Sequence, residues 1–475
     1  MERSNITKNK KTRNTALKAL VLLVLILIVG SIIWDQYEYL VKPEINSGNT
    51  VKGEDVSGTV VQTCDPLKID QTDMITNFSI DRKWVLIGSE FTDQEDHLVV
   101  NLRLNDKYNE NMISPELWNI NYVISGTEID YDLTSRSDLI FNTLIPAEEI
   151  GIGTHRIYAV INYGCGEVST EEIEFYVSHP LYVTWTQDWE GNDVNDHYLN
   201  DLIEISDTHG ISMTHFFNPR IYVTNAISQQ RAQYLTNWVI EREKNHGDDI
   251  GLHLHMFPDM VTAAGVEINA GAPAWGQVNR TDGYDVTVSG YSEEDLIKVI
   301  NWSKEIFKTK GLGDPQMFRA GGWYADEGTL SALEKTGFVL DSSGRTKYSL
   351  GTNNLSGHWD LATTTRPYQP NRYNQNSSAL PNMSLWEFPN NGADSTNHKA
   401  EEMMKRFMDN YQGVPLDEKQ VVTFLSHPHW FHIDKPEIQK LFTEIDKNLY
   451  RSDNGPVIYT TLSESYRIWT LPNEN

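Results

Sequence analysis

Cysteine is almost missing from this chain. Two of its 475 residues are cysteines, Cys64 and Cys165. That excludes a framework of several bridges and leaves one intramolecular pairing. Positive charge is also in short supply. There are 39 Lys and Arg against 66 Asp and Glu, a formal net charge of -27. Nucleic-acid binding needs a basic footprint over the phosphates, so nucleic acid is excluded as a partner. An acidic balance of this kind reads as a well-solvated surface. A small-x-small cleavage site is missing after the first apolar run, which argues against a removed signal peptide.

The apolar run itself is clear. Lys8, Lys10, Lys11, Arg13 and Lys18 precede the uncharged "ALVLLVLILIVGSIIW", Ala19 to Trp34. The run is slightly shorter than the ~20 residues that span a bilayer. Lys18 can snorkel, and Trp34 suits the far interface. Basic residues before the run and Asp35 and Glu38 after it keep the N-terminus cytoplasmic. The expectation is a cytoplasmic segment 1–18, a transmembrane anchor 19–34 and a polar linker 35–58, with the bulk of this single-pass membrane protein outside the cell. An oxidising exterior permits the Cys64–Cys165 bridge.

Two regimes follow the linker. Across 59–178, short β-rich runs such as "HLVVNLRL", "WNINYVIS", "HRIYAVINY" and "EIEFYV" alternate with polar turns, the pattern of a β-sandwich of Ig-like kind. Across 179–475, strand-like runs alternate with amphipathic helical ones. "YVTWT", "SMTHFF", "DIGLHLH", "MFRAGGW", "FVLDSS", "VVTFLSHPHWF" and "VIYTTLSES" are the strand-like members. Alternating β and α over this length predicts an α/β fold, a barrel or an open parallel sheet, with its chemistry at the C-terminal strand ends.

Those ends carry a consistent set of side chains. In "GDDIGLHLHMFPDM", His253 and His255 fall two apart and share one face of a strand, with Leu252, Leu254 and Met256 on the other. Two imidazoles so placed either hydrogen-bond within a core or hold a divalent metal. The first strand ends in Thr186, Gln187, Asp188 and Glu190. Arg319, Asp341, His427 and His429 end later strands. Asp188 with His253 and His255 has the ligand types of a catalytic zinc or similar site.

From His179 onward the chain resembles the polysaccharide deacetylases of the NodB-homology type, carbohydrate esterase family 4 in the broad sense. The resemblance rests on five stretches in family order: "YVTWTQDW", "SMTHFF", "DIGLHLHMFP", "FRAGGWYADEGTLSALEKTGFVLDSS" and "FLSHPHWF". It implies a (β/α) barrel of that type and a divalent metal, zinc first among the candidates. It implies Asp188, His253 and His255 as ligands, Arg319 as the arginine that orients the catalytic carboxylate, and His427 as general acid. Asp341 fits the acidic residue of the "DSS" stretch. The family's second metal histidine usually lies four residues after the first, where this chain has Phe257, so His255 takes that place. The family's aspartate base falls at Gln187 or Thr186, neither of which is a carboxylate; Glu190 is the nearest substitute. Trp185, Trp189, Trp323 and Trp430, with His429, either stack on sugar rings or pack in the core.

The expected function is removal of N- or O-acetyl groups from a cell-wall or surface glycan. A glycan-binding protein that kept the fold and lost catalysis is the rival that the missing base suggests. A hydrolase of a non-sugar amide is another. Loops "INAGAPAWGQVNRTDGYDVTVSG" and "TTTRPYQPNRYNQNSSALPNMS" are long for connections and are expected to shape the substrate cleft.

Overall fold

A computed structural model describes residues 70–471, apart from 89–96, 109–118, 130–134, 138 and 277–282. The expected cytoplasmic segment, anchor and linker, and Cys64, lie outside the described residues. Among the described residues, no helix is long and apolar enough to cross a membrane. Cys165 is disulfide-bonded. Thr63–Asn475 form one compact unit.

Among the described residues the unit begins with ten strands: β1 (Ile75–Ile80), β2 (Trp84–Leu86), β3 (His97–Leu104), β4 (Asn119–Ile124), β5 (Thr127–Ile129), β6 (Ser135–Ser137), β7 (Ile140–Pro146), β8 (Gly153–Asn162), β9 (Glu167–Ser169) and β10 (Ile173–Ser178). They form two sheets, ordered β1-β3-β7-β6 and β2-β10-β8-β4-β5, with β9 on β8. Burial alternates along β3, where Leu98, Val100, Leu102 and Leu104 are inside. That alternation is what a sheet with one buried face requires. Those residues share one core with Ile157, Ala159 and Ile161 of the other sheet.

The remainder is built on parallel strands: β11 (Leu181–Asp188), β12 (Met213–Phe217), β13 (Asp249–Leu254), β14 (Met317–Ala320), β15 (Leu340–Asp341), β18 (Trp386–Glu387), β19 (Ala393–Asp394), β20 (Gln420–Ser426) and β21 (Val457–Tyr459), with a small hairpin, β16 (Ser349–Leu350) and β17 (Leu355–Ser356), set apart. The sheet path runs β18-β15-β14-β13-β12-β11-β20-β19, with β21 beside β11. All eight residues of β11 are buried, as strands covered on both faces must be. The path bends round, its end strands β18 and β19 being six residues apart in sequence. Eight strands laid flat would separate their edges by about 34 Å at the usual strand spacing. The chain from Glu387 to Ala393 reaches at most about 21 Å, so the sheet is curled. All its strand ends of one polarity therefore gather at one rim.

Helices cover the outside. Glu293–Lys310 is typical: Ser292 caps it by accepting from the Asp295 amide, acidic residues fill the first turn, and Gly311 leaves it at φ 84°. The run "VIYTTLSES" is a correction to the expected strand. Only Val457–Tyr459 is β; Thr461 and Glu464 form a reciprocal capping box that starts the helix Leu462–Thr470.

Candidate metal and catalytic site

The site is assembled at the C-terminal rim. Its first contributor is the end of β11, where Asp188 and Glu190 are both buried. Gly191 turns the chain at φ 71°, where a Cβ would lie 3.0 Å from that of Arg220; only glycine is comfortable there.

The second contributor is the end of β13. The His253 Nδ1 is 2.9 Å from the Arg319 carbonyl oxygen, and the His255 Nδ1 is 2.6 Å from that of Tyr284. A carbonyl only accepts, so each Nδ1 carries its proton and each Nε2 presents its other edge to the site. This backbone anchoring is the usual support of metal-binding histidines. Both Nε2 atoms face the Glu190 carboxylate: His253 at 3.6 Å, and His255 in direct contact. One atom from each of the three residues lies within 4.8 Å of the others. Glu190 Oε2 and both Nε2 atoms are buried without a hydrogen-bond partner. Orphaned ligand atoms of this kind are costly unless something fills the space between them.

The electrostatics favour a cation there. Burial would raise the Glu190 carboxyl, but the facing His255 and His253 hold it well below the usual range. Burial would lower His253, but Asp188 and Glu190 draw positive charge onto it and raise it. Two histidines and a carboxylate fit a catalytic zinc or a similar first-row ion.

Arg319, wholly buried on β14, makes the third part. Its Nε donates to the Ser342 carbonyl at 2.8 Å and its Nη2 to the Ser342 hydroxyl at 2.7 Å. Its Nη1 donates to Thr186 at 2.6 Å and to Asp188 Oδ1 at 3.0 Å. Arg319 thus grips Asp188, and the carboxylate set directly against both histidines is Glu190. The expected Asp188–His253–His255 triad is therefore not the group that the rim brings closest together. The cause is reach: Glu190 lies two residues past the end of β11 and comes against both β13 histidines.

The fourth part comes from β20. His427 Nδ1 lies 2.8 Å from the Thr396 hydroxyl, which donates its own proton to Asp434 at 2.9 Å. Thr396 must then accept, so His427 Nδ1 is protonated and Nε2 points to Glu190 at 3.5 Å. Burial would discharge this imidazole, but Asp434 lifts it to about 9, helped by Glu190 and Asp188. Asp188, Glu190 and His427 also come within 4.8 Å of one another. That set already has Arg319 and the charged His427 as its cations.

A cavity of about 730 Å³ opens over these groups, lined by Asp188, Glu190, His255 and His427. Trp323 and Trp430 line it as expected. Other expected residues do not. Trp185 and Trp189 are core residues, 0% and 2% exposed, because they point to the opposite face of β11 from Asp188 and Glu190. His429 packs on Trp430 at 3.8 Å between ring centres and is not in the lining. Burial lowers its pKa to about 4. Asp341 lies off the cavity and pairs with Glu387 on the adjacent strand.

Trp275 and Tyr284 also line the cavity. Both belong to the first of the two long loops, whose aromatic content was the signal for them. The second loop, 363–384, contributes nothing to the lining. Thr396, which also lines the cavity, and Asp434 carried no sequence signal, since what they do for the site depends on their contact with His427.

No family model and no curated protein matches the chain. Among solved structures, the chain resembles polysaccharide deacetylases and carbohydrate esterases of family 4. One is a provisionally assigned polysaccharide deacetylase from Mycobacterium smegmatis, at 15% identity and TM-score 0.38, covering 62% of this chain and 92% of that one. Another is a family 4 carbohydrate esterase from Streptomyces lividans with acetate bound, at 11% identity and TM-score 0.32, covering 61% and 95%. A family 4 pseudoenzyme from Bacillus anthracis resembles it at 9% identity and TM-score 0.30, covering 60% and 64%. Likeness this loose spans enzymes and a pseudoenzyme alike and decides nothing about activity.

Proposed function

We propose that this chain is a metal-dependent hydrolase that removes an acetyl group from a glycan. The observation that carries this reading is the convergence of three orphaned ligand atoms, on Glu190, His253 and His255, beside a carboxylate gripped by arginine and a charged histidine. In this reading Glu190, His253 and His255 hold the ion. When bound, such an ion lowers the pKa of water and polarises an acyl carbonyl.

The rest falls to the chain's own groups. Asp188, gripped by Arg319, takes the proton from the attacking water. His427, charged and steadied through Thr396 and Asp434, gives a proton to the leaving nitrogen or oxygen. Relative to the expected roles, Asp188 and Glu190 exchange places. Arg319 is the arginine that orients the base in the family this chain resembles, and here it meets Asp188. The base that looked missing is thereby supplied, which weakens the reading of a purely glycan-binding protein. Trp275, Tyr284, Trp323 and Trp430 give the cavity the apolar walls that sugar faces pack on.

The reading extends to the whole chain. The 19–34 run anchors it, and the sheets of 59–178 act as a sandwich-like spacer between the membrane and a catalytic region at 179–475. Zinc is the preferred ion.

The test is metal content together with acetate release from acetylated chitin fragments and from peptidoglycan, before and after chelation. One bound ion with chelator-sensitive release supports the reading. One bound ion with release only from a small amide favours the non-sugar hydrolase. A protein that takes up no metal and releases no acetate would overturn the proposal.

A further inference from the structure

A second buried polar cluster lies behind the end of β11 and takes no part in the chemistry above. Its first member is Trp189, the residue between Asp188 and Glu190. The Trp189 indole N–H donates to His215 Nδ1 at 3.2 Å. His215 Nε2 lies 2.9 Å from Asp248 Oδ2. Arg242 grips the same carboxylate, Nε to Oδ2 at 2.7 Å and Nη2 to Oδ1 at 3.1 Å, and its Nη2 also reaches Ser206 at 2.8 Å. His215, Asp248 and Arg242 are essentially sealed from water.

The chain of donors allows one tautomer only. An indole N–H cannot accept, so His215 Nδ1 accepts from it, and Nε2 carries the proton given to Asp248. The imidazole is therefore fixed in both orientation and tautomer.

A buried set of this kind adds little net stability over a well-packed apolar replacement. What it does fix is geometry. The Trp189 backbone N–H donates to the Phe216 carbonyl at 2.9 Å. Its side chain is held by His215, the neighbour of Phe216, and lies between Phe217 and Trp238, with ring centres at 5.3 and 5.8 Å. Backbone and side chain of Trp189 are thus both tied to β12. Alternation along the strand then turns Asp188 and Glu190 together to the other face. Such groups must be held within about 0.5 Å of productive geometry to work.

We propose that His215, seated on Asp248 and Arg242, is a positioning residue that holds the Trp189 indole and so sets the spacing of Asp188 and Glu190 about the metal. This rests on the metal-dependent reading given above.

The experiment is Co²⁺ titration of the metal-free full-length chain, with affinity from chelator competition and the ligand-field spectrum as a second readout. The variants are Trp189→Phe, His215→Leu and His215→Gln. Trp189→Phe keeps an aromatic ring and deletes the indole donor together with part of the ring, so the His215 pair of variants separates the lost hydrogen bond from the lost volume. It is expected to weaken Co²⁺ binding about 10–100-fold, the usual loss for an outer-shell partner, and to shift the spectrum. His215→Leu should do the same. His215→Gln, which can accept from the indole and donate to Asp248, should restore parental affinity and spectrum. Parental values in Trp189→Phe would overturn the proposal while leaving the metal reading intact. So would a Gln variant as impaired as Leu, since shape alone would then be at work. If His215→Leu does not fold, parental affinity and spectrum in His215→Gln beside a loss in Trp189→Phe decide. A parent that binds no Co²⁺ overturns the metal reading, and this proposal with it.

Discussion

At the scale of single residues, the decisive contact is Arg319 to Asp188 at 3.0 Å. It separates two carboxylates that look interchangeable along the chain. Glu190→Gln should weaken metal binding by more than the about 10–100-fold expected of an outer-shell change. Asp188→Asn should keep the metal and lower kcat by about 10²–10⁴, the usual worth of a general base. Metal analysis beside acetate-release kinetics reads both. The opposite pattern, metal lost in Asp188→Asn and kept in Glu190→Gln, would restore the roles expected from the sequence. His427→Ala should lose turnover by a similar factor with its metal content unchanged. Full activity in that variant would remove His427 from the mechanism.

Among elements, the seam between β15 and β18 stands out. Asp341 and Glu387 pair across it in register and are both 0% exposed. Asp341 Oδ1 accepts from Ser343, and Glu387 Oε1 from the Gly344 amide, each at 2.8 Å. The two other oxygens have no such donors, and a proton held between the facing carboxyls is the expected way to satisfy both. Burial first, and then the neighbouring carboxylate, raise Glu387 well above its usual range; burial raises Asp341 to about 6. Unfolded, such groups titrate near ~4. The folded state therefore keeps a proton that the unfolded chain releases. Asp341's contribution is full below about pH 4 and is lost as the pH rises through about 6, while that of Glu387 is lost only at higher pH. Asp341→Asn should flatten this slope. Melting temperatures of parent and variant should diverge between about pH 4 and 7, and parallel curves would mean that the pair does not share its proton.

For the whole molecule, the two β-sheets and the curled parallel sheet are fastened at a few points. Asp453 accepts from the backbone amides of Lys83 and Trp84 at 2.8 and 2.9 Å. Trp84 belongs to the core of the parallel-sheet region, and His179 Nδ1 meets the Ile87 carbonyl oxygen at 3.2 Å. Asp453→Ala leaves two amides without their charged acceptor, at a cost of about 1.5–3 kcal/mol. Calorimetry should show the single unfolding transition of the parent broaden or split, with early protease cleavage near residue 83. An unchanged single transition would show that the joint does not depend on this contact.

The sequence by itself determined the alternation of strands and helices after residue 179, because strand and helix periods are local properties of side-chain order. It also determined that His253 and His255 face the same way, since a strand repeats every two residues. It placed Arg319 and His427 at strand ends, where a parallel sheet gathers its chemistry. Only the tertiary structure decided which carboxylate each of them meets. That depends on how far β14 reaches across β13 and β12 to β11, and on where the chain turns at Gly191. Trp189 shows the same limit. Its position beside the site suggested sugar contact, and strand alternation then sent it to the core. The partner that makes it useful there, His215, lies 26 residues away in sequence, so that the contact exists only once β11 and β12 have paired.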